Sequence, residues 1–348
     1  MTSNEVQPVI EIQGLTKDFK VGFMVRGEKE QRQGFFSRTT VRALDNLSLD
    51  VRRGESFGFL GPNGAGKTTT LKLLMGLTFP TSGSARILGN PIDDVLTRKR
   101  LGYLPENPYF YDYLTGRELL FYTASLFGIS RGVAVGRVNQ MLDTVGLDQK
   151  AADRQLRKYS KGMTQRIGIA QALINDPDVV FLDEPMSGLD PIGRREVRDL
   201  LLDLRARSKT VFFSSHILSD VEALCDRVAI LNRGKLYKSG TLAELTAAQS
   251  SFEVVGLGTD NTVLENLTAG LEWIESFAGT PNGAHIRVKS ESNVEQAIAL
   301  IRQTGGKLVS VNPSKASLEH VFFSAGNKPL KAENENSDEG TLQRKSGT

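Results

Sequence analysis

Residues 61–68 read GPNGAGKT and sit directly between the apolar run Ser56–Leu60 and an amphipathic run over 69–77. A short apolar run bounded by a turn predicts a buried strand, and the periodicity after it predicts a helix. Gly61, Gly64 and Gly66 let the loop curl until its backbone N–H groups point inward, and the helix aims its positive dipole end at the same place. Such a loop fits a polyphosphate. In this pattern Lys67 reaches the outer phosphates and Thr68 is placed to ligate Mg²⁺, while Pro62, Asn63, Ala65 and Thr69 belong to the same binding loop.

The 348-residue chain has room for one large domain and a smaller one. Its 43 basic and 40 acidic side chains leave a formal charge of only +3, so composition carries no footprint for a nucleic-acid backbone. The single cysteine, Cys225, rules out an internal disulfide, suits a reducing cytosol and reads as a small buried hydrophobe. His216, His285 and His320 are the only histidines and form no Cys/His cluster, which argues against structural zinc. No apolar run reaches bilayer length and MTSNEVQP does not read as a signal peptide, so the chain is expected to be soluble by itself.

Strand-like alternation in VIEIQGLTKDF (9–19) and VRALDNLSLDVRRGE (41–55) flanks a glycine- and charge-rich stretch over 20–40, a hairpin-like β portion ahead of the loop. Strand candidates SARIL and LGYLP follow; helical periodicity over 116–127 and 138–145, stopped by Gly146, marks a helical insert of about 106–165. Strand-type runs return in VVFLDEP (179–185), TVFFSSH (210–216) and RVAILNRGKLYKSG (227–240), as suits a parallel sheet covered on both faces. After a short helix over 241–248 the order becomes β-α-β-β-α-β. Its strands lie in SFEVV, LEWIESF, HIRVK and KLVSV, and its second helix is capped by Asn293 and stopped at Gly305 and Gly306. These spans predict an α/β domain over 9–248, a ferredoxin-like α+β domain over 251–325 closed by the helix SLEHVFFSA, and a disordered polar tail over 326–348.

The run 179–184 is a buried strand ending in two carboxylates, which is what Mg²⁺-assisted phosphoryl transfer needs opposite the loop. Asp183 would join the Mg²⁺ shell, and Glu184, one step further, would polarise an attacking water. Ligands bind at the carboxyl ends of parallel strands, which favours this placement over two merely solvated strand-end acids.

Taken together these motifs resemble the nucleotide-binding subunit of an ATP-binding cassette (ABC) transporter, a P-loop NTPase core with an antiparallel β subdomain and a helical insert. Residues 61–69 match its Walker A loop, YSKGMTQR at 159–166 occupies the place of the LSGGQ-type signature, and VVFLDEP matches Walker B. SGLD at 187–190 matches the D-loop, and SSH ends at His216, the switch histidine. The resemblance implies further roles. Phe19 falls at the position that stacks on adenine, where the family more often has Tyr, though a β-core Phe is the local alternative. Ser160 and Gly162 match the residues that touch the γ-phosphate held by the opposite subunit; Tyr159, Lys161 and Met163 depart from the signature. Asp190 would sit between paired cassettes, compatibly with a helix N-cap before Pro191. His216 would bond the γ-phosphate. Glu106, in GYLPE, stands where the family often has a Gln that senses Mg²⁺; a carboxylate can ligate the ion but cannot donate a hydrogen bond.

The resemblance further implies an ATP hydrolase using ATP and Mg²⁺, acting as a peripheral subunit on the cytoplasmic face of the membrane. It would pair with a second cassette, as a homodimer, and with an integral-membrane permease, and would have no nucleic-acid partner. YSKGM, GYLPE and the ending SLEHVFF resemble bacterial exporter-type members. The alternative is a soluble cassette ATPase acting on the ribosome or DNA, but such proteins carry two cassettes or long coiled coils. The stretch 20–40 is longer than usual and carries Phe23, Phe35 and Phe36 among basic residues. It is either an arm toward a membrane partner or lipid headgroups, or a solvated insertion.

Overall fold

The computed structural model describes residues 8–25, 35–247 and 251–314, together with Leu318 and Phe322. The expected tail over 326–348 and the tip of the 20–40 stretch, residues 26–34, lie outside the described residues.

Two long strands, β1 (Pro8–Val25) and β2 (Phe35–Arg52), precede β3 (Ser56–Leu60) and α1 (Lys67–Leu74). Then come β4 (Ser82–Ile87), β5 (Asn90–Pro91), α2 (Val95–Arg98) and β6 (Leu101–Leu104). The helical insert contains α3 (Gly116–Leu126), α4 (Arg131–Thr144) and α5 (Gln149–Ala152), and leads into α6 (Lys161–Leu173). The chain returns through β7 (Val179–Asp183), α7 (Pro191–Ala206), β8 (Thr210–Ser215), α8 (Leu218–Leu224), β9 (Arg227–Asn232), β10 (Lys235–Thr241) and α9 (Leu242–Ala247).

Strands β3, β6, β7, β8 and β9 run parallel in one sheet ordered β10-β9-β3-β8-β7-β6, with β10 antiparallel at its edge. Alternation along these strands divides two cores. Val179 and Phe181 face one side with Phe57, Phe59 and Phe212, beneath the antiparallel sheet β2-β1-β4-β5 and α1. Val180 and Leu182 face the other, with Val211 and Phe213, against the helices. Phe212 stacks on Phe57 with ring centroids 5.4 Å apart, and each such ring contributes on the order of 2 kcal/mol by leaving water.

Residues 20–25 and 35–40 continue the hairpin, since β1 and β2 stay in register from Lys20↔Thr40 to Val25↔Phe35. Alternating residues sustain the ladder after β4 has ended its pairing at Thr16.

Beyond α9 follow β11 (Ser251–Leu257), α10 (Asn261–Thr268), β12 (Ile274–Thr280), β13 (Gly283–Val288), α11 (Val294–Gln303) and β14 (Lys307–Ser314). Their sheet is antiparallel and ordered β12-β13-β11-β14, and both helices share its core through Leu264, Ala297 and Ile301. Two local expectations are corrected. The strand expected from Leu271 starts at Ile274, because Gly270 takes a φ of 83° and Leu271 N–H turns back to Thr268 O. Asn293 occupies the N-cap of α11 without a capping bond; its side chain accepts from Ser290 Oγ and donates to Gln296 instead. Of the closing helix only Leu318 and Phe322 are described, and Leu318 is buried in the core of the first unit rather than of the second.

Candidate active site

The phosphate loop follows β3 because Gly61 and Gly66 permit what a side chain would forbid. A Cβ on Gly61 would lie 2.8 Å from Leu231 O, and Gly66, at φ 106°, would put one 2.7 Å from Ala43 O. The resulting cavity, about 550 Å³, is lined by Asn63 to Thr69, by Val41, Arg42 and Ala43 from β2, and by Glu106 and Glu184. Parallel pairing brings the carboxyl ends of β3, β7 and β8 together, with Gly61 N–H donating to Ser215 O at 3.3 Å.

Lys67 is buried at this cavity; its ammonium donates to Gly61 O at 2.7 Å and lies 3.2 Å from Glu184 Oε1. Glu184 Oε2 is 2.8 Å from His216 Nδ1. One carboxylate thus bridges the loop's cation and the strand-end histidine. Glu184 itself has a φ of 50°, a left-handed conformation that costs a non-glycine residue roughly 1 kcal/mol or more and persists where the surroundings enforce it. The enforcing contact is Ser214, whose hydroxyl accepts from Glu184 N–H at 3.0 Å and donates to Asp183 Oδ1 at 2.6 Å. Sequence reasoning missed Ser214. Its signal lay in the register that sets Asp183 beside Ser214 across β7 and β8.

Asp183 is fully buried, and its Oδ2 has no hydrogen-bond partner among the described residues. A buried, orphaned carboxylate oxygen beside a phosphate loop suits a hard cation such as Mg²⁺, with Thr68 on the cavity wall as a second oxygen donor. Nearby Tyr103 is pushed up to about 12 by burial, with the Asp183 charge adding to it.

Other expected residues are dispersed. Glu106 lines the cavity, whereas Phe19 is outside its lining, exposed, paired in register with Val41 and overlaid by Lys17 Nζ at 5.0 Å from the ring centre. Ser160 caps α6, its hydroxyl accepting from Met163 N–H at 3.3 Å, and Asp190 caps α7 by accepting from Gly193 N–H at 2.8 Å. Ser160, Gly162 and Asp190 are all absent from the cavity wall.

The family model described as ABC transporter matches residues 44–187. An uncharacterized ABC transporter ATP-binding protein of Nostoc sp. is 47% identical over 296 residues, 85% of this chain and 86% of its own length. The chain belongs to the ABC transporter ATP-binding protein family. Bacitracin transport ATP-binding protein BcrA of Bacillus licheniformis is 44% identical over 287 residues, 81% of this chain and 91% of BcrA. Among solved structures, a dimeric post-hydrolysis state of the ATP-binding cassette MJ0796, bound to ADP and Pi, matches with a TM-score of 0.57 and 25% identity. That match covers 67% of this chain and 98% of that one. The first unit therefore has the ABC ATPase cassette fold, and the chain is an ABC-family ATPase serving as a transporter's ATP-binding subunit. Members of this family work with a membrane permease and dimerise; among the described residues no helix is long and apolar enough to cross a membrane.

Proposed function

We propose that this chain hydrolyses ATP to drive export through a membrane permease from the cytoplasmic face, as one of two identical cassettes. The observation that carries the reading is the Lys67–Glu184–His216 chain of contacts at the phosphate loop, with the signature residues outside the same cavity. Export rests on the exporter-like motifs, and the transport name of BcrA is consistent with it.

Lys67 would exchange Gly61 O and Glu184 for the β- and γ-phosphate oxygens. Glu184, released from the ammonium, would then accept a proton from the attacking water, while His216 holds the carboxylate in place. Thr68 and Asp183 would hold Mg²⁺, which when bound neutralises charge on the phosphates. Phe19 would support adenine from the hairpin, and Glu106 would watch the phosphate side of the cavity. Ser160 and Gly162 would complete the site of the second copy from the N-terminus of α6, with Asp190 between the two cassettes.

We read 9–248 as the cassette, with its helical insert over about 106–165, and 251–325 as a ferredoxin-like accessory domain. The β12-β13-β11-β14 order supports the latter reading.

Complementation tests the shared site. Lys67→Ala and Ser160→Arg chains are each expected to be inactive, and mixing them should restore hydrolysis, because one of the two sites in a mixed dimer is then intact. Mixed dimers that form and stay inactive would refute a site shared between copies.

A further inference from the structure

Asp220, in the first turn of α8, is 1% exposed and carries a charge that the reaction described above does not use. Its Oδ1 accepts from Arg198 Nη2 at 3.4 Å, while among the described residues neither its Oδ2 nor Arg198 Nε has a partner. The spare donor and the spare acceptor therefore belong to the same two side chains. A guanidinium presents Nε–H and Nη–H side by side, in the spacing that matches the two oxygens of a carboxylate. This pair is a fork of which one tine is long and the other unmade.

The placement gives the half-made fork a consequence. Arg198 lies on α7, two turns beyond the cap Asp190, and α8 begins two residues after His216. The two helices pack on one another, so Arg198–Asp220 links the helix that starts at Asp190 to the helix that begins two residues after His216. A small shift of α7 toward α8 would shorten the 3.4 Å bond and give the spare donor and the spare acceptor the chance to meet. A buried carboxylate with half its acceptors unmet is costly, and completing the fork lowers that cost.

We propose that Asp220 is a positioning residue: through Arg198 it registers the approach of a second cassette at Asp190 and sets His216 against Glu184. This rests on the roles assigned to Asp190 and His216 above. Asp220 touches no reacting group and acts through α8.

The test is steady-state and single-turnover hydrolysis by the full chain. Asp220→Asn is expected to lower kcat about three- to thirtyfold while the KM for ATP stays within about twofold. Arg198→Gln, made from the more exposed partner and so gentler on folding, should do the same, and the double variant should be no slower than either single one. Arg195→Gln, on the solvent side of α7, serves as control and should retain parental turnover. In a His216→Ala background, adding Asp220→Asn should leave the residual single-turnover rate unchanged. The proposal is overturned if Asp220→Asn lowers the melting temperature but not kcat, if KM alone rises, or if the two losses multiply in the His216→Ala background. Parental turnover by His216→Ala alone would instead refute the role of His216.

Discussion

Lys67 and Glu184 face each other across 3.2 Å with side chains only 6% and 7% exposed. Two opposite charges withdrawn from water hold each other, and a phosphate entering the cavity must compete for the ammonium. In the proposed function, nucleotide binding and release of the carboxylate would in this way be one event.

Glu184→Gln removes the charge while keeping the shape. Hydrolysis should fall roughly a hundredfold or more, with ATP retained and an ATP-dependent dimer accumulating on size-exclusion chromatography. Parental hydrolysis by this variant would disprove the assignment of the base.

Gly188, at φ 66°, lies beneath Lys161, and a Cβ there would run into Lys161 Nζ. Gly188→Ala should cost about 1 kcal/mol from backbone strain and displace the lysine. Adding Lys161→Ala should recover only the steric share, as denaturant melts of the single and double variants will report.

Arg100 donates to Asp178 and holds its carboxyl below the usual carboxylate range. Because the folded value is depressed, the stabilisation is complete above the ordinary carboxylate pKa and disappears as pH falls through the depressed value. Asp178→Asn should therefore flatten the acid limb of the stability–pH profile and leave the alkaline limb as it is.

Burial pushes the Cys225 thiol well above its ordinary range. Folded protein at about pH 8 should resist iodoacetamide, whereas denatured protein should take up one equivalent, counted by mass spectrometry. Rapid labelling of the folded chain would contradict the buried placement.

Leu318 is fully buried in the same core as Val221, Val228 and Leu245. Leu318→Ala should destabilise the cassette by about 2–5 kcal/mol. Hydrogen exchange is expected to speed up around α8 and β9 while the amides of β11 and β13 keep their rates.

The phosphate loop and the Asp183–Glu184 strand end were legible in the sequence because each is a local grammar of glycines, one apolar run and fixed charges. Ser214 was not, since its importance comes from the neighbour that strand register gives it. Val41 to Ala43 reach the cavity only through the folding of the hairpin over the loop. Trp273 looked like strand by composition, yet the turn at Gly270 governs it, and its ring packs on the second unit's core. Leu318 shows the limit most clearly, because helical periodicity says that a face will be buried and not which core receives it.

That return of Leu318 bears on synthesis. The core that holds Leu245 of α9, a helix ending at Ala247, also takes in a side chain translated 71 residues after that helix ends. At roughly 5–20 residues per second, several seconds separate the two on the ribosome. During that interval the nascent ATPase carries an unfilled site in its hydrophobic interior, which closes only when the segment bearing Leu318 emerges.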